Sequence, residues 1–291
     1  MRMMVFIVLV GLSCGFARSL YPTTAPLRTG RLRVGIHELY YEEHGRCDGV
    51  PALFLHGGPG AGCFTRHAGF FDPAHYRVVL FDQRGCGRST PRGCLEDNDT
   101  SHLIDDIEQL RRHLAVSQWM VVLGGSWGVT LALAYAAAHP GRVGALVLRA
   151  VCLMREIETR WLFGEAGGAR RLQPEQWDEF ALHAEHWAAR PEADDALQVT
   201  SMDGTSGGDC MTGSDGAVSD RALRLYAQML RSEDVSVRGE AARCWSTWEN
   251  RVFALCRRAP LEAPPLADAT LAAGSFEDEI QTGLRSCQLG G

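Results

Sequence analysis

Gly124-Gly125-Ser126-Trp127-Gly128 lies between a short apolar run, Val121-Val122-Leu123, and an alanine- and leucine-rich run from Val129 to His139 that stops at Pro140. The first run predicts a buried strand and the second a helix. A serine between glycines at a strand-to-helix turn fits the Gly-x-Ser-x-Gly pattern, which lifts the hydroxyl out at the top of a sheet. A side chain at Gly124 or Gly128 is expected to collide with the neighbouring strand or helix. Held this way at a helix N-terminus, Ser126 is placed to attack a carbonyl.

Upstream, Ala52-Leu53-Phe54-Leu55-His56 reads as another buried strand and runs into Gly57-Gly58-Pro59-Gly60. A serine nucleophile needs two backbone N–H donors for the oxyanion that develops on the attacked carbonyl. Trp127, the residue after the serine, supplies one, and a glycine-rich loop after an earlier strand supplies the other, with Gly58 as the candidate. A third strand, Val78 to Phe81, leads into Asp82-Gln83-Arg84-Gly85-Cys86-Gly87-Arg88-Ser89. Within this loop Asp82 and Arg84 read as charges of a structural turn, with an ion pair shaping the site wall as the alternative, and Cys86 reads as a small filler.

Leu39 to His44 and Val143 to Leu148 read as further strands. A helix capped by Thr100 or Ser101, with Asp105 and Asp106 in its first turn, carries the stripe Leu103, Ile104, Ile107, Leu110 and Leu114. Strands alternating with helices predict an α/β fold, a mostly parallel sheet with helices on both faces. From Arg155 to Glu249 the pattern turns helical and rich in tryptophan, with Trp161, Trp177, Trp187, Trp245 and Trp248 expected in its core. Met202 to Gly216, rich in Gly, Ser, Thr and Asp, reads as a flexible insertion.

The 291 residues suit one α/β domain with an accessory helical region, and a net charge of −6 gives no nucleic-acid face. The ten cysteines show neither a C-x-x-C pair nor zinc-type spacing, so most read as free thiols, and no metal or organic cofactor is implied. Arg2 followed by the apolar Met3–Leu12 and the small-x-small Gly15-Phe16-Ala17 fits a signal or targeting peptide. The run is too short for an ordinary membrane span. Residues 1–19 are therefore expected to be an extension outside the fold, 20–150 the core, 151–259 the helical region and 260–291 an irregular tail.

Taken together, His56 to Gly60, Asp82 to Ser89 and Gly124 to Gly128 resemble the proline iminopeptidases, serine peptidases of the α/β-hydrolase fold. The resemblance continues through Leu131 to Pro140, Leu146 to Arg149 and Trp245-Ser246-Thr247-Trp248-Glu249. It implies that the helical region is a cap over the site and that Ser126 releases N-terminal proline from small peptides through an acyl-enzyme. It also implies that Glu249 binds the substrate's charged imino nitrogen and that Arg149, near the site, either contacts substrate or makes an ion pair within the site. The family's cytoplasmic location is the expectation, with a secreted or organellar one as the alternative. Cys152 and Leu162 stand where the family has aromatic residues, which weakens the expected selectivity for proline.

A serine nucleophile also needs a base and an acid to orient it, in the order Ser, Asp or Glu, His in this fold. After Ser126 the histidines are His139, His183 and His186. His139 ends the helix that starts beside Ser126, about 20 Å away if that helix is regular. His183 and His186, one turn apart, read as a solvated or interface face. The family's late Asp and Gly-His are not recognisable, so the resemblance implies that its C-terminal third is missing. A poorly stable, nearly inactive chain is expected. The alternatives are a general carboxylesterase and a non-catalytic remnant. Dehalogenase or epoxide hydrolase chemistry is disfavoured, since it needs a carboxylate where Ser126 stands.

Overall fold

The apolar runs become neighbouring strands of one seven-stranded sheet, ordered β1-β7-β6-β4-β5-β3-β2. The structure is a computed structural model and describes residues 7–9, 20–190 and 221–254. The strands are β1 (Ile7–Leu9), β2 (Arg28–Val34), β3 (His37–Gly45), β4 (Val50–Leu55), β5 (Tyr76–Phe81), β6 (Trp119–Gly125) and β7 (Val143–Arg149). β2 and β3 pair antiparallel to their neighbours, and the pairs from β5 across to β1 are parallel. Ala52–Leu55 and Val78–Phe81 are buried on both faces, which is why they are continuous apolar runs. The register sets Leu55 beside Gly124 and Gly125 beside Arg149. The loops that leave β4, β6 and β7 therefore meet at one edge.

Two expectations are corrected in this unit. Residues 1–19 were set apart as an extension, but Ile7–Leu9 pair with Leu146–Leu148. An apolar run placed against the open edge of β7 satisfies backbone groups that would otherwise stay unpaired. The cap of helix α1 (Thr100–His113) is neither Thr100 nor Ser101 but Asp99, whose carboxylate accepts the His102 N–H at 3.0 Å. The helix begins one residue earlier than the sequence pattern suggests, so the cap moves back with it.

Helix α2 (Trp127–Ala138) packs on β6, and α1 is joined to it through Glu108. The Glu108 carboxylate is buried and accepts from Arg111 Nη2 at 2.6 Å, Arg111 Nε at 2.8 Å and the Tyr135 hydroxyl at 3.0 Å. The Arg111 guanidinium holds the Glu108 carboxyl down from 4.5 to about 2. A depressed carboxylate stabilises the fold above its unfolded pKa, and the contribution is lost as pH falls from about 4.5 towards 2. Urea unfolding at pH 6 and pH 3 should show a loss of about 2 kcal/mol that Glu108→Gln removes from the difference. An equal pH dependence in parent and variant would refute it.

The chain divides at Leu153 into two units, and the second holds only helices among its described residues. These are α3 (Glu156–Phe163), α4 (Gly168–Leu172), α5 (Pro174–Ala188), α6 (Arg221–Met229) and α7 (Val235–Ala254). Their core gathers Trp177, Phe180, Trp187, Tyr226, Trp245 and Trp248, with Phe180 stacked on Tyr226 at 4.3 Å. Trp161 departs from expectation and is 47% exposed, its indole lying against Gly168. His183 is a helix-to-helix contact, bonded to the Tyr226 hydroxyl at 3.1 Å and paired with Glu240 at 3.1 Å, whereas His186 is exposed. The Met202–Gly216 insertion and the 260–291 tail lie outside the described residues. Among the described residues, no helix is long and apolar enough to cross a membrane.

Candidate active site

Ser126 sits at the junction of β6 and α2 with φ 53° and ψ −121°, a conformation that costs a non-glycine residue roughly 1–3 kcal/mol. Its N–H donates to the Arg149 carbonyl at 3.0 Å, and its own carbonyl accepts the Val129 N–H at 2.8 Å. The two flanking glycines are required by close backbone approach. A Cβ on Gly128 would press into the Leu55 carbonyl, and one on Gly124 into the Gly128 carbonyl. The turn is thus clamped between β4 and its own helix, as its sequence predicted.

The loop after β4 passes directly over the serine. A Cβ on Gly57 would lie 3.2 Å from the Ser126 Cβ. Gly58 has φ +110°, open to glycine and strained for other residues. Among the described residues, no acceptor takes the N–H of Gly58 or of Trp127. Two unclaimed donors on either side of a strained serine are what a developing oxyanion needs.

His56, at the root of this loop, is fixed as a neutral imidazole. Its Nε2 accepts the Gln83 N–H at 3.0 Å, and its Nδ1 donates to the Gly57 carbonyl at 2.9 Å. Burial pushes its pKa below the ordinary value. With both ring nitrogens engaged, His56 shapes the loop and has no free nitrogen for Ser126.

Gln83 was quoted in the sequence pattern but given no role. Its Oε1 accepts the Trp127 indole N–H at 3.1 Å, and its Nε2 donates to the His56 carbonyl at 3.1 Å. One side chain therefore ties the glycine loop to the residue after the nucleophile. Its neighbour Asp82 accepts the Cys63 N–H at 2.6 Å and Arg88 Nε at 2.8 Å. The alternative Asp82–Arg84 ion pair does not form, and the structural-turn reading of these charges stands. Arg84 turns away to Asp106, which receives Nε at 2.7 Å and Nη2 at 2.8 Å, while Arg88 takes Asp82 and Glu42. Adjacent side chains leave the end of a strand in different directions, so closeness in sequence did not make them partners. Cys86 is buried as a filler, its thiol donating to the Arg84 carbonyl.

Of the remaining expected residues, Arg149 ends β7 and is exposed. Glu249 belongs to the second unit, on α7, where burial pushes its carboxyl up to about 7 against the opposing indole of Trp245. His139 closes α2, twelve helical residues beyond Ser126. Among the described residues, no side chain hydrogen-bonds the Ser126 hydroxyl.

A family profile described as alpha/beta hydrolase fold matches residues 51–254. A proline iminopeptidase of Neisseria meningitidis is 42% identical over 260 residues, covering 89% of this chain and 73% of that protein. One of Arabidopsis thaliana is 42% identical over 233 residues, covering 80% of this chain and 53% of its own length. The chain thus spans about half of the plant relative and about three quarters of the bacterial one. A solved mutant of a candidate epoxide hydrolase from Pseudomonas aeruginosa superposes with a TM-score of 0.50 at 17% identity, over 92% of this chain and 73% of that one. At that identity the likeness is one of fold.

Proposed function

We propose, on the premise that the chain belongs to the α/β-hydrolase family and within it to the proline iminopeptidases, that Ser126 releases N-terminal proline from short peptides. The supporting observation is the strained serine flanked by the unclaimed N–H groups of Gly58 and Trp127. Ser126 Oγ attacks the carbonyl of the N-terminal proline, and the two N–H groups stabilise the oxyanion. The C–N bond then breaks, the shortened peptide leaves as an amine, and prolyl-Ser126 is hydrolysed by water.

Glu249 takes the substrate's imino nitrogen. A carboxyl that burial holds near neutrality ionises when a cation is set beside it, and the pair is a charge-assisted hydrogen bond. Each proton transfer at Ser126 requires a base. His56 is committed to its loop, and no described side chain reaches the hydroxyl. In this reading Ser126 is the nucleophile, Gly58 and Trp127 are the oxyanion donors, and the reaction needs a proton acceptor besides the described side chains.

Free imidazole can stand in for that acceptor. With imidazole added, a proline arylamide should be cleaved in preference to a short acyl ester, and Glu249→Gln should raise KM for the arylamide far more than for the ester. Ester cleavage without arylamide cleavage would replace this reading by a general esterase.

A further inference from the structure

β4 lies between β5 and β6, so the end of β4 separates the loop after β5 from the turn that carries Ser126. Two strand spacings make that gap about 10 Å. Gln83 and Trp127 close it from opposite sides, the indole N–H donating to Gln83 Oε1 at 3.1 Å. Gln83 also holds the end of β4 itself. Its Nε2 donates to the His56 carbonyl at 3.1 Å, and its backbone N–H donates to His56 Nε2 at 3.0 Å. Gln83, His56 and Trp127 are all buried, so no water competes for these bonds.

The partners fix which way the amide points. An indole N–H only donates and a backbone carbonyl only accepts, so a reversed amide would set donor against donor and acceptor against acceptor. The His56 carbonyl belongs to the peptide that opens the glycine loop, and Trp127 follows the serine. One amide thus bridges the two segments whose Gly58 and Trp127 N–H groups have no acceptor among the described residues. The far end of the glycine loop is held separately. Cys63 donates its N–H to Asp82 at 2.6 Å, and its carbonyl accepts Arg88 Nη2 at 3.1 Å.

We propose that Gln83 is a positioning residue that sets the spacing of the Gly58 and Trp127 N–H groups, an inference that rests on the proline-releasing reading. Gln83 acts through His56 and Trp127 rather than on the substrate. Its effect therefore falls on the charge that develops in the transition state, which lowers kcat and leaves KM in place when the residue is changed. Asparagine keeps the amide but is one methylene shorter, so it cannot keep both contacts.

Steady-state hydrolysis of a proline arylamide at a fixed imidazole concentration tests this with Gln83→Met and Gln83→Asn, each at a temperature where circular dichroism shows it folded. Each should lower kcat about tenfold to a hundredfold and leave KM within about twofold, as expected of misaligned oxyanion donors. Trp127→Phe removes the same hydrogen bond from the other side, so the loss in the double variant with Gln83→Met should fall well short of the product of the single losses. If neither Gln83 variant folds, Trp127→Phe carries the test through the same split of kcat from KM. Variants that melt earlier but keep the parent kcat when folded, or single losses that multiply in the double variant, overturn the positioning role and leave the proline-releasing reading standing. Absence of Ser126-dependent cleavage by the parent overturns the two together.

Discussion

Gly128→Ala should destabilise the first unit by about 4 kcal/mol or more, enough to leave little folded protein at 37 °C. The added methyl group would lie 2.8 Å from the Leu55 carbonyl carbon and 2.9 Å from the His56 oxygen, with the Leu55 oxygen closer still. These are backbone atoms, so no rotamer change relieves the clash. β4 cannot step aside, because it is paired with β5 on one edge and β6 on the other. Relief requires the turn to lift off β4, and that movement separates Trp127 from the glycine loop. Stability and the oxyanion geometry would therefore fail together. Thermal unfolding followed by circular dichroism checks this, and a melting temperature within a degree or two of the parent would show that the turn is looser than described. Gly125→Ala is the control, since a Cβ there meets nothing within 4 Å.

Asp106→Ala should cost about 3–5 kcal/mol, because it strands a buried guanidinium. Arg84 is 4% exposed and Asp106 fully buried, and the pair is bidentate. The third arm of Arg84 donates to the Asp97 carbonyl at 2.7 Å, which ties the loop after β5 to the start of α1. Burial pushes the Asp106 carboxyl up and Arg84 pulls it down, so the ion pair opposes a large desolvation cost. Replacing both partners by apolar residues of similar volume, Arg84→Met with Asp106→Leu, should recover most of the loss. Denaturant titration of the single and double variants reads the difference. A double variant as unstable as Asp106→Ala would mean that the loop depends on the pair's hydrogen bonds rather than on charge compensation.

The site's backbone was legible because it is local. Gly124 to Gly128 and His56 to Gly60 each follow an apolar strand by a few residues, and sequence distance equals structural distance there. β2 was not legible, because Arg28, Arg31 and Arg33 give it the look of a polar loop. Its inward face is read only once β3 lies beside it. Arg84–Asp106 spans 22 residues and Gln83–Trp127 spans 44, so no pattern along the chain announces either pairing. Gln83 is the larger omission. A side-chain amide with two partners on different loops is visible only after folding, although its place directly after a buried strand that ends beside β4 was a usable signal.

The most direct measurement is hydrolysis of a proline arylamide by the chain and by its Ser126→Ala variant at neutral pH, as imidazole is added. Little turnover without imidazole, and turnover that rises with imidazole only when Ser126 is present, is the expected result. A rise that is equal in the Ser126→Ala variant, or no rise at all, would contradict the proposal that Ser126 is the nucleophile.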